Sequence, residues 1–252
     1  MNSEGVNELD NFIYKLNRVT YCYIKSAPVL VNIHLSICRG EKLVILGANG
    51  CGKSTLLKLL DGLIFPDSGQ IEAFGQRLEE KSLDASPYEF RRKVGFVFQD
   101  SDTQLFCSSV FDEVAFSPLQ MGLGQDEARK RVNNIIKDFG LGELKDRPPY
   151  RLSGGEKKKV ALAAVTVYDP EVLLLDEPTN GLDPRTKKWF LQRLVQLNQK
   201  GTTIVIATHD LELARNFADR VLVMNESHQI EAIAKPAEIF AKDDLLSRVN
   251  LI

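Results

Sequence analysis

The stretch Gly47-Ala48-Asn49-Gly50-Cys51-Gly52-Lys53-Ser54-Thr55 decides the fold of this chain. It fits the phosphate-binding pattern G-x-x-x-x-G-K-[ST]. The apolar run at residues 42–46 precedes it and predicts a buried strand, and Leu56, Leu57, Leu59, Leu60 and Leu63 follow at helical spacing. Because a strand, a glycine loop and a helix follow one another here, we expect a phosphate loop and not an accidental glycine turn.

Each residue type in this loop suits the binding of phosphate. Glycines let the backbone bend so that successive N–H groups point at phosphate oxygens, and a helix N-terminus adds partial positive charge there. Lys53 can reach the β- and γ-phosphates, and the Ser54 hydroxyl can hold Mg²⁺. A thiol near a lysine and a helix start favours its reactive thiolate, so Cys51 is a candidate reactive cysteine; the alternative is a buried small side chain. The candidate nucleotide-binding residues of the loop are Gly47, Asn49, Gly50, Cys51, Gly52, Lys53, Ser54 and Thr55.

Composition and charge narrow the class of protein. The chain has 252 residues, is 44% hydrophobic and 26% charged, and carries a net charge of −2, so it is an ordinary globular sequence with no reason to bind nucleic acid. Four scattered cysteines without a CxxC pair favour a reducing compartment and argue against a disulfide framework or a zinc site. No apolar run approaches the roughly 18 residues that a membrane span needs. Residues 1–10 are polar and acidic, unlike a signal peptide.

Hydrophobic patterning along the chain predicts an α/β fold. Residues 14–23 and 29–37 alternate polar and apolar, as antiparallel strands do, and residues 70–74 predict a third strand of that sheet. Continuous apolar runs predict parallel strands covered on both faces, and they lie at residues 94–98, 172–175 and 203–207. Residues 100–165 predict a helical insertion, residues 1–11 a flexible extension, and residues 76–90 have no clear assignment.

Polar side chains follow three of the predicted strands. Asp176 and Glu177 come after the run at residues 172–175, where Asp176 can hold Mg²⁺ and Glu177 can act as the general base for an attacking water. His209 follows the next strand and can hydrogen-bond a γ-phosphate, although a lone histidine is more often structural. Gln99 can bind Mg²⁺ or orient water, which is a weak prediction by itself. In parallel sheets ligands bind at the carboxyl ends of the strands.

A second candidate phosphate site is the stretch Leu152-Ser153-Gly154-Gly155-Glu156, which opens a helix. A plain capping box, with Ser153 as the N-cap and Glu156 three residues later, explains the same residues, and both interpretations can hold together.

The combination of motifs resembles the ATP-binding-cassette (ABC) ATPases over about residues 18–245. Six motifs stand in the family's order: the phosphate loop, Gln99, the signature Leu152–Glu156, the stretch 173–179, Gly181-Leu182-Asp183 and His209. The resemblance implies a P-loop cassette with a RecA-like, mostly parallel core sheet, an N-terminal antiparallel β-subdomain and an inserted helical subdomain. It also implies a cassette at residues 12–245, with the helical part at about 100–165 and a tail at 246–252.

The family resemblance also implies how ATP and Mg²⁺ are bound. Two cassettes pair head to tail, so Ser153, Gly154 and Gly155 contact the γ-phosphate bound to the partner, which is an identical chain or a paralogue. Asp183 helps to link the two sites across the interface. Tyr23 matches the aromatic residue that stacks on adenine, although it is also an ordinary strand residue. Lys53, Glu177 and His209 are the implied catalytic residues, and Ser54, Gln99 and Asp176 the implied magnesium ligands.

Residues 98–106 and 112–118 narrow the resemblance to the ATPase component of energy-coupling-factor transporters, especially the cobalt/nickel type. Such importers take up metal ions or vitamins and contain a transmembrane coupling subunit and a substrate-binding membrane subunit. The implied location is the cytoplasmic face of the cell membrane, with residues 99–118 receiving a helix of the coupling subunit. A conventional ABC importer and a soluble, non-transport ABC ATPase are the alternatives. A P-loop kinase or GTPase does not explain Leu152–Glu156.

Overall fold

The computed structural model describes residues 11–85 and 87–252, which fall into two compact units. One unit ends at Pro87 and resumes with Thr203–Ile252, and the other is Tyr88–Thr202. The predicted extension at residues 1–11 lies outside the described residues except for Asn11. The Asn11 carbonyl accepts a hydrogen bond from the N–H of Arg39 at 2.9 Å, so this last residue is already part of the fold.

An antiparallel sheet forms the first layer of the first unit. Its strands stand in the order β2-β1-β4-β5, with bounds β1 Phe12–Ile24, β2 Ala27–Cys38, β4 Ser68–Ala73 and β5 Gln76–Arg77. On β2, Ile33, Leu35 and Ile37 are buried at every second position, so they lie on one face of the strand. Leu30 is also buried, one position out of that alternation. The predicted antiparallel strands are therefore confirmed.

Parallel strands form the second layer of this unit. Strand β3 (Lys42–Leu46) pairs in parallel with β8 (Thr203–Thr208) on one side and β9 (Arg220–Met224) on the other, and β10 (Ile230–Ala234) pairs antiparallel with β9. All of β8 is buried, as a parallel strand covered on both faces must be. The helices of this unit are α1 Lys53–Leu60, α2 Glu80–Ala85, α8 Leu211–Phe217, α9 Pro236–Ile239 and α10 Asp243–Arg248.

The second unit joins two parallel strands to a set of helices. Strand β6 (Val94–Val97) pairs with β7 (Val172–Asp176), and the helices are α3 Pro87–Lys93, α4 Val110–Gln120, α5 Gln125–Asp138, α6 Gly154–Thr166 and α7 Pro184–Gln199. Along the chain, α4, α5 and α6 all follow β6 and precede β7, and α4 packs against both α5 and α6. The helical insertion expected from the fold prediction is thus present.

The structure corrects one local prediction and assigns one stretch that the sequence left open. Leu63 is not part of the helix after the phosphate loop, because α1 ends at Leu60 and Gly62, with φ +64°, turns the chain away. Residues 76–90, left unassigned, contain β5, α2 and the start of α3. The predicted end of the cassette at residue 245 lies within α10, and this domain boundary stays a prediction. Within the described part of the chain, no helix has the length and hydropathy to cross a membrane.

Candidate active site

The phosphate loop has the conformation that its glycines predict. Gly52 has φ +108° and precedes α1, and a Cβ atom on it would lie 2.5 Å from the main-chain oxygen of Val29. Both the torsion and the space therefore require glycine there. A Cβ atom on Gly47 would lie 2.5 Å from the sulfur of Cys51 and 3.0 Å from the main-chain oxygen of Met224, so close packing favours glycine at this position as well.

Lys53 lies against the loop that it is predicted to serve. Its side chain is buried, and its Nζ donates hydrogen bonds to the main-chain oxygens of Gly47 at 2.7 Å and Ala48 at 3.0 Å. These bonds fold the ammonium group back over the turn. The positive charge is held beside the loop N–H groups, where a phosphate can exchange for the two carbonyls.

Cys51 does not have the environment that the sequence predicted. The side chain is only 2% exposed, and burial raises the pKa of the thiol, against the smaller lowering influence of Lys53. A raised pKa reduces the thiolate fraction, and the thiolate is the reactive form. The interpretation of Cys51 as an activated, accessible thiol is therefore wrong, and the alternative of a buried small side chain is confirmed.

Tyr23 lies near the start of α1, as an adenine-stacking residue would. It is 54% exposed near the end of β1, and its hydroxyl oxygen is 3.5 Å from the Thr55 hydroxyl. Its ring and that of Tyr21 form a T-shaped pair, with 5.0 Å between the ring centroids. The Tyr23 side chain is thus packed against one neighbour and still more than half exposed, and its role in stacking stays a prediction.

His209 is next to the phosphate loop because of strand register. Leu46, the last residue of β3, pairs in parallel with Thr208, the last residue of β8. The residues that follow are Gly47 on one strand and His209 on the other, so both emerge at the same edge of the sheet. The structure therefore brings together two of the elements that the sequence predicted separately, and the exposed imidazole follows the end of β8.

A second histidine contacts the loop and was not predicted to do so. His228, in the turn between β9 and β10, has φ +63° and places its Nδ1 3.3 Å from the main-chain oxygen of Cys51. Its own carbonyl accepts a hydrogen bond from the N–H of Val31 at 2.9 Å. Nothing local in the sequence indicates this contact, because it depends on two strands and a turn about 175 residues further along the chain.

The second unit carries the predicted acidic residues. Val97 on β6 pairs with Leu175 on β7, so the residues just beyond, with Gln99 on one strand and Asp176 and Glu177 on the other, lie at a common edge. Asp176 and Glu177 are both buried, whereas Gln99 is exposed. Glu177 has φ +43°, an uncommon backbone conformation for a residue with a side chain, and such conformations cluster at functional sites.

Lys158 is a buried cation that the sequence analysis did not single out. It lies on α6 with 7% of its surface exposed, and its Nζ donates to the main-chain oxygens of Gln99 at 2.7 Å and Glu177 at 3.3 Å. Burial lowers the pKa of this lysine, while the charges of Asp176, Asp100 and Glu177 act in the opposite direction. Lys158 stands between two other lysines in the sequence, and only the packing shows that it points inward.

The signature stretch begins α6 with a complete capping box. The N–H of Ser153 donates to the Glu156 carboxylate at 2.8 Å, and the Ser153 hydroxyl accepts the N–H of Glu156 at 3.4 Å. The hydrogen bond from the Ser153 N–H, and next that from its hydroxyl, lowers the pKa of Glu156. A Cβ atom on Gly154 would meet nothing within 4 Å, so packing within this chain does not require glycine there. The capping-box interpretation is confirmed, and contact with a phosphate stays a prediction.

Asp183 caps the next long helix, α7. Its carboxylate accepts the N–H groups of Arg185 and Thr186, each at 3.0 Å, and Pro184 occupies the first helical position. Hydrogen bonding, first from the Thr186 side chain, lowers the pKa of this exposed carboxyl group. A helix cap thus explains Asp183 within one chain, and its predicted part in linking two cassettes remains untested.

Comparison with known protein families decides the family. A family model described as "ABC transporter" matches residues 30–180, more than half of the chain. The chain belongs to the ABC transporter ATPase family. Its fold is the P-loop ABC cassette, and as an ABC ATPase it hydrolyses ATP to ADP and phosphate.

Three relatives resemble this ABC ATPase over most of its length. A putative ABC transporter ATP-binding protein of Caldanaerobacter subterraneus subsp. tengcongensis is 59% identical over 95% of this chain and 99% of its own length. The nickel import ATP-binding protein NikO of Rhodobacter capsulatus is 48% identical over 95% of each chain. The energy-coupling factor transporter ATP-binding protein EcfA3 of Clostridium perfringens is 41% identical over 96% of this chain and 85% of its own.

Two solved structures resemble the fold of this ABC ATPase. CbiO1 of Clostridium perfringens, described as part of the ABC transporter complex cbiONQ, has a TM-score of 0.82 and 40% identity over 96% of this chain and 95% of its own. An ATP-binding cassette in a dimeric post-hydrolysis state bound to ADP and Pi has a TM-score of 0.80 and 30% identity over 88% of this chain and 98% of its own. These likenesses agree with the cobalt/nickel resemblance that the motifs indicated.

Proposed function

We propose that this ABC ATPase is the ATP-hydrolysing motor subunit of an energy-coupling-factor type membrane importer, for cobalt or nickel ions or a vitamin. The relatives named NikO and EcfA3, and the likeness to CbiO1, support this branch of the family. ATP binding closes a head-to-tail dimer with a second cassette, either an identical chain or a paralogue. The solved dimer of a cassette 30% identical to this chain supports the pairing. Hydrolysis reopens the dimer, so the nucleotide state sets which conformation is populated.

The proposed binding residues fall into two groups by their contact with ATP. The phosphate loop from Gly47 to Thr55 binds the phosphates of its own ATP, Tyr23 stacks on the adenine, and His209 hydrogen-bonds the γ-phosphate. Ser153, Gly154 and Gly155 contact the γ-phosphate of the partner's ATP, and the open space at Gly154 leaves room for that approach. Asp183, at the start of α7, helps to link the two cassettes.

The donor chemistry of this chain fits Mg²⁺. The proposed ligands Ser54, Gln99 and Asp176 offer a hydroxyl, an amide and a carboxylate oxygen, the hard oxygen donors that Mg²⁺ prefers. Mg²⁺ in nucleotide sites is bound through one or two carboxylates and the substrate phosphates, and it keeps several waters. When bound, Mg²⁺ neutralises charge on the phosphates during their transfer.

One observation carries the catalytic assignment: Glu177 is buried directly after β7, beside Asp176, with its backbone in the left-handed region. In that position Glu177 accepts a proton from the attacking water. Glu177→Gln should lower the ATPase kcat by about 10²–10⁴-fold, the range typical for removal of a general base, and should leave ATP binding intact.

Glu171→Gln is the matched control for this test. Glu171 is an exposed glutamate that immediately precedes the first residue of β7, whereas Glu177 follows its last residue. Steady-state ATPase rates and binding of a fluorescent ATP analogue would be measured on both variants. Size-exclusion chromatography with MgATP should show the Glu177→Gln protein as a stable dimer. A kcat close to that of the parent enzyme would exclude Glu177 as the base.

An exposed aromatic pair supports the proposed contact with the coupling subunit. Phe106 is 67% exposed and meets Phe116 on α4 edge-on, with 4.9 Å between ring centroids. The buried Glu113 holds the loop in place, because its carboxylate accepts the N–H groups of Phe106 at 2.9 Å and Cys107 at 2.7 Å. An apolar surface presented by a fixed loop suits a helix of a membrane subunit. Phe111, in the same predicted region, is half-buried and contributes less to that surface.

The test of this contact is co-expression with the membrane subunits and pull-down of the complex. Phe106→Glu together with Phe116→Glu should abolish assembly and leave nucleotide binding unchanged. Tyr150→Glu serves as the control, because Tyr150 is an exposed aromatic residue outside this pair. Unchanged recovery of the membrane subunits would exclude the pair as the docking surface. Through this contact we place the protein at the cytoplasmic face of the membrane as a peripheral subunit.

A further inference from the structure

We propose that Lys158 is a positioning residue that fixes the ends of β6 and β7, and with them Gln99 and Glu177, relative to the signature helix α6. The inference deepens the proposed function, since it rests on Glu177 being the catalytic base. It assigns a role to a residue outside the phosphate loop, the strand-end motifs and the five residues of the signature.

The hydrogen bonds of Lys158 are the first support. One ammonium group donates to two main-chain oxygens, that of Gln99 at 2.7 Å and that of Glu177 at 3.3 Å. These carbonyls belong to residues that follow neighbouring parallel strands. Bonds to main-chain atoms hold the backbone itself and do not involve the side chains of Gln99 and Glu177. Lys158 therefore acts on the position of both side chains without taking their place.

The cost of burying a lysine is the second support. An ammonium group loses solvation when it is buried, and it remains so only where hydrogen bonds and opposite charges compensate. Here the compensation comes from the two carbonyls and from the nearby acidic groups Asp176, Asp100 and Glu177. A simple apolar residue would fill the same position on α6 at no electrostatic cost. The buried charge is thus accounted for by the strand ends that it joins.

The backbone of Glu177 is the third support. With φ +43°, Glu177 needs surrounding contacts that determine its conformation, because such torsions are costly for a residue with a side chain. Lys158 supplies one of these contacts at the Glu177 carbonyl. Lys157, the residue before Lys158 on α6, forms an ion pair with Asp102. The two lysines therefore both hold the segment that follows β6, Lys158 at Gln99 and Lys157 at Asp102.

The location of Lys158 gives the contact a consequence for catalysis. The first turn of α6 carries the signature, and its capping box fixes that turn. Any displacement of the signature moves Lys158, which lies on the same rigid helix. The proposed general base and the proposed magnesium ligand Gln99 therefore take their positions from the helix that meets the partner's ATP.

The first test compares Lys158→Met with Lys158→Gln. Methionine matches the length of lysine but cannot donate a hydrogen bond, so kcat should fall by about tenfold or more while KM for ATP changes by less than about twofold. Glutamine can donate to one carbonyl, and its kcat should lie between those of the parent enzyme and the methionine variant. Lys159→Met is the matched control, because Lys159 is the next residue of α6 and contacts the ring of Trp189, not the strand ends.

Hydrogen exchange supplies a readout that does not depend on turnover. In Lys158→Met, amides of residues 99–104 and 177–180 should exchange faster, while the rest of the chain keeps its protection. A parental kcat, an equal loss in Lys159→Met, or exchange that rises throughout the chain would each overturn the proposal. If Lys158→Met does not fold, the glutamine variant decides: it must show a lowered kcat and faster exchange at the same two segments.

Failure of this inference is distinguishable from failure of the proposed function. Should Glu177→Gln keep its activity, the assignment of the base is wrong, whatever Lys158 does. Should Glu177→Gln be inactive while Lys158→Met retains full kcat and normal exchange, the base stands and the positioning role falls.

Discussion

Gly52→Ala tests how far the phosphate loop depends on close packing, and Gly50→Ala is its matched control. Both glycines have positive φ, +108° at Gly52 and +86° at Gly50. A Cβ atom on Gly50 would meet nothing within 4 Å, whereas one on Gly52 would lie 2.5 Å from the Val29 carbonyl oxygen and 2.9 Å from the Leu30 side chain. The two substitutions therefore differ chiefly by a steric overlap.

The expected difference in stability between the two variants comes from the steric overlap, because the other contributions are shared. Backbone strain at a positive φ costs about 1–3 kcal/mol in both variants. The smaller unfolded-state effect of replacing glycine, about 0.4–1 kcal/mol, is also shared and cancels in the comparison. The overlap at Gly52 adds about 1–3 kcal/mol, the usual cost of forcing extra atoms into a packed region. At about 2–4 °C per kcal/mol for a chain of this size, Gly52→Ala should unfold about 2–12 °C below Gly50→Ala.

Thermal unfolding without nucleotide, followed by circular dichroism, measures this difference. The absence of nucleotide matters, because bound ATP would add its own stabilisation of the folded state. A Gly52→Ala protein that unfolds at the same temperature as Gly50→Ala would refute the reasoning. In that case the loop would relax around the new methyl group, and its fit against β2 would not be a source of stability.

Three further predictions concern single sites. Ser153→Arg should abolish hydrolysis while ATP affinity stays near the parental value, because a bulky cation would block the proposed contact with the partner's phosphate; a collapse of affinity measured with a fluorescent analogue would contradict it. Cys51 should label with maleimide more slowly than the half-buried Cys22, because it is buried and its thiol pKa is raised, as mass spectrometry of brief labelling would show. The Glu156 carboxylate should stabilise the folded state above its ordinary pKa of 4.5, and this stabilisation should be lost as the pH falls through its lowered folded-state pKa. In Glu156→Gln, the stability of the protein should therefore fall less steeply at acid pH, as a pH–stability curve would show.

The sequence predicts best those features that depend on neighbouring residues. The phosphate loop, with its strand before and its helix after, is a local arrangement, and the structure reproduces it from β3 to α1. The capping box of Ser153 and Glu156 is local as well, since both partners lie within one helical turn. In parallel sheets the carboxyl ends of the strands lie at one edge, so the location of His209 at that edge could be predicted, whereas the pairing of Leu46 with Thr208 is known only from the structure.

Features that depend on burial were missed or misjudged. Lys158 is one of three consecutive lysines and was not singled out, because only tertiary packing turns it inward onto two carbonyls. Cys51 carries neighbours that favour a thiolate, but its desolvation outweighs them and is invisible in the sequence. His228 reaches the phosphate loop from a turn near the other end of the chain. Each of these contacts is set by the fold, which a local pattern does not contain.

The Glu113 carboxylate has a mechanical consequence. It ties the loop that bears Phe106 to α4, the same helix that bears Phe116, so the two rings belong to one stiff element. In the first turn of α4, the Val110 N–H donates a hydrogen bond to the Arg147 carbonyl at 3.0 Å. Arg147 lies in the segment that leads to the signature. A load applied to the loop at Phe106 therefore passes through the Glu113 side chain into α4, and from the first turn of α4 through a main-chain hydrogen bond to Arg147. Removing the Glu113 carboxylate would loosen the connection between Phe106 and α4 without changing either ring or the signature.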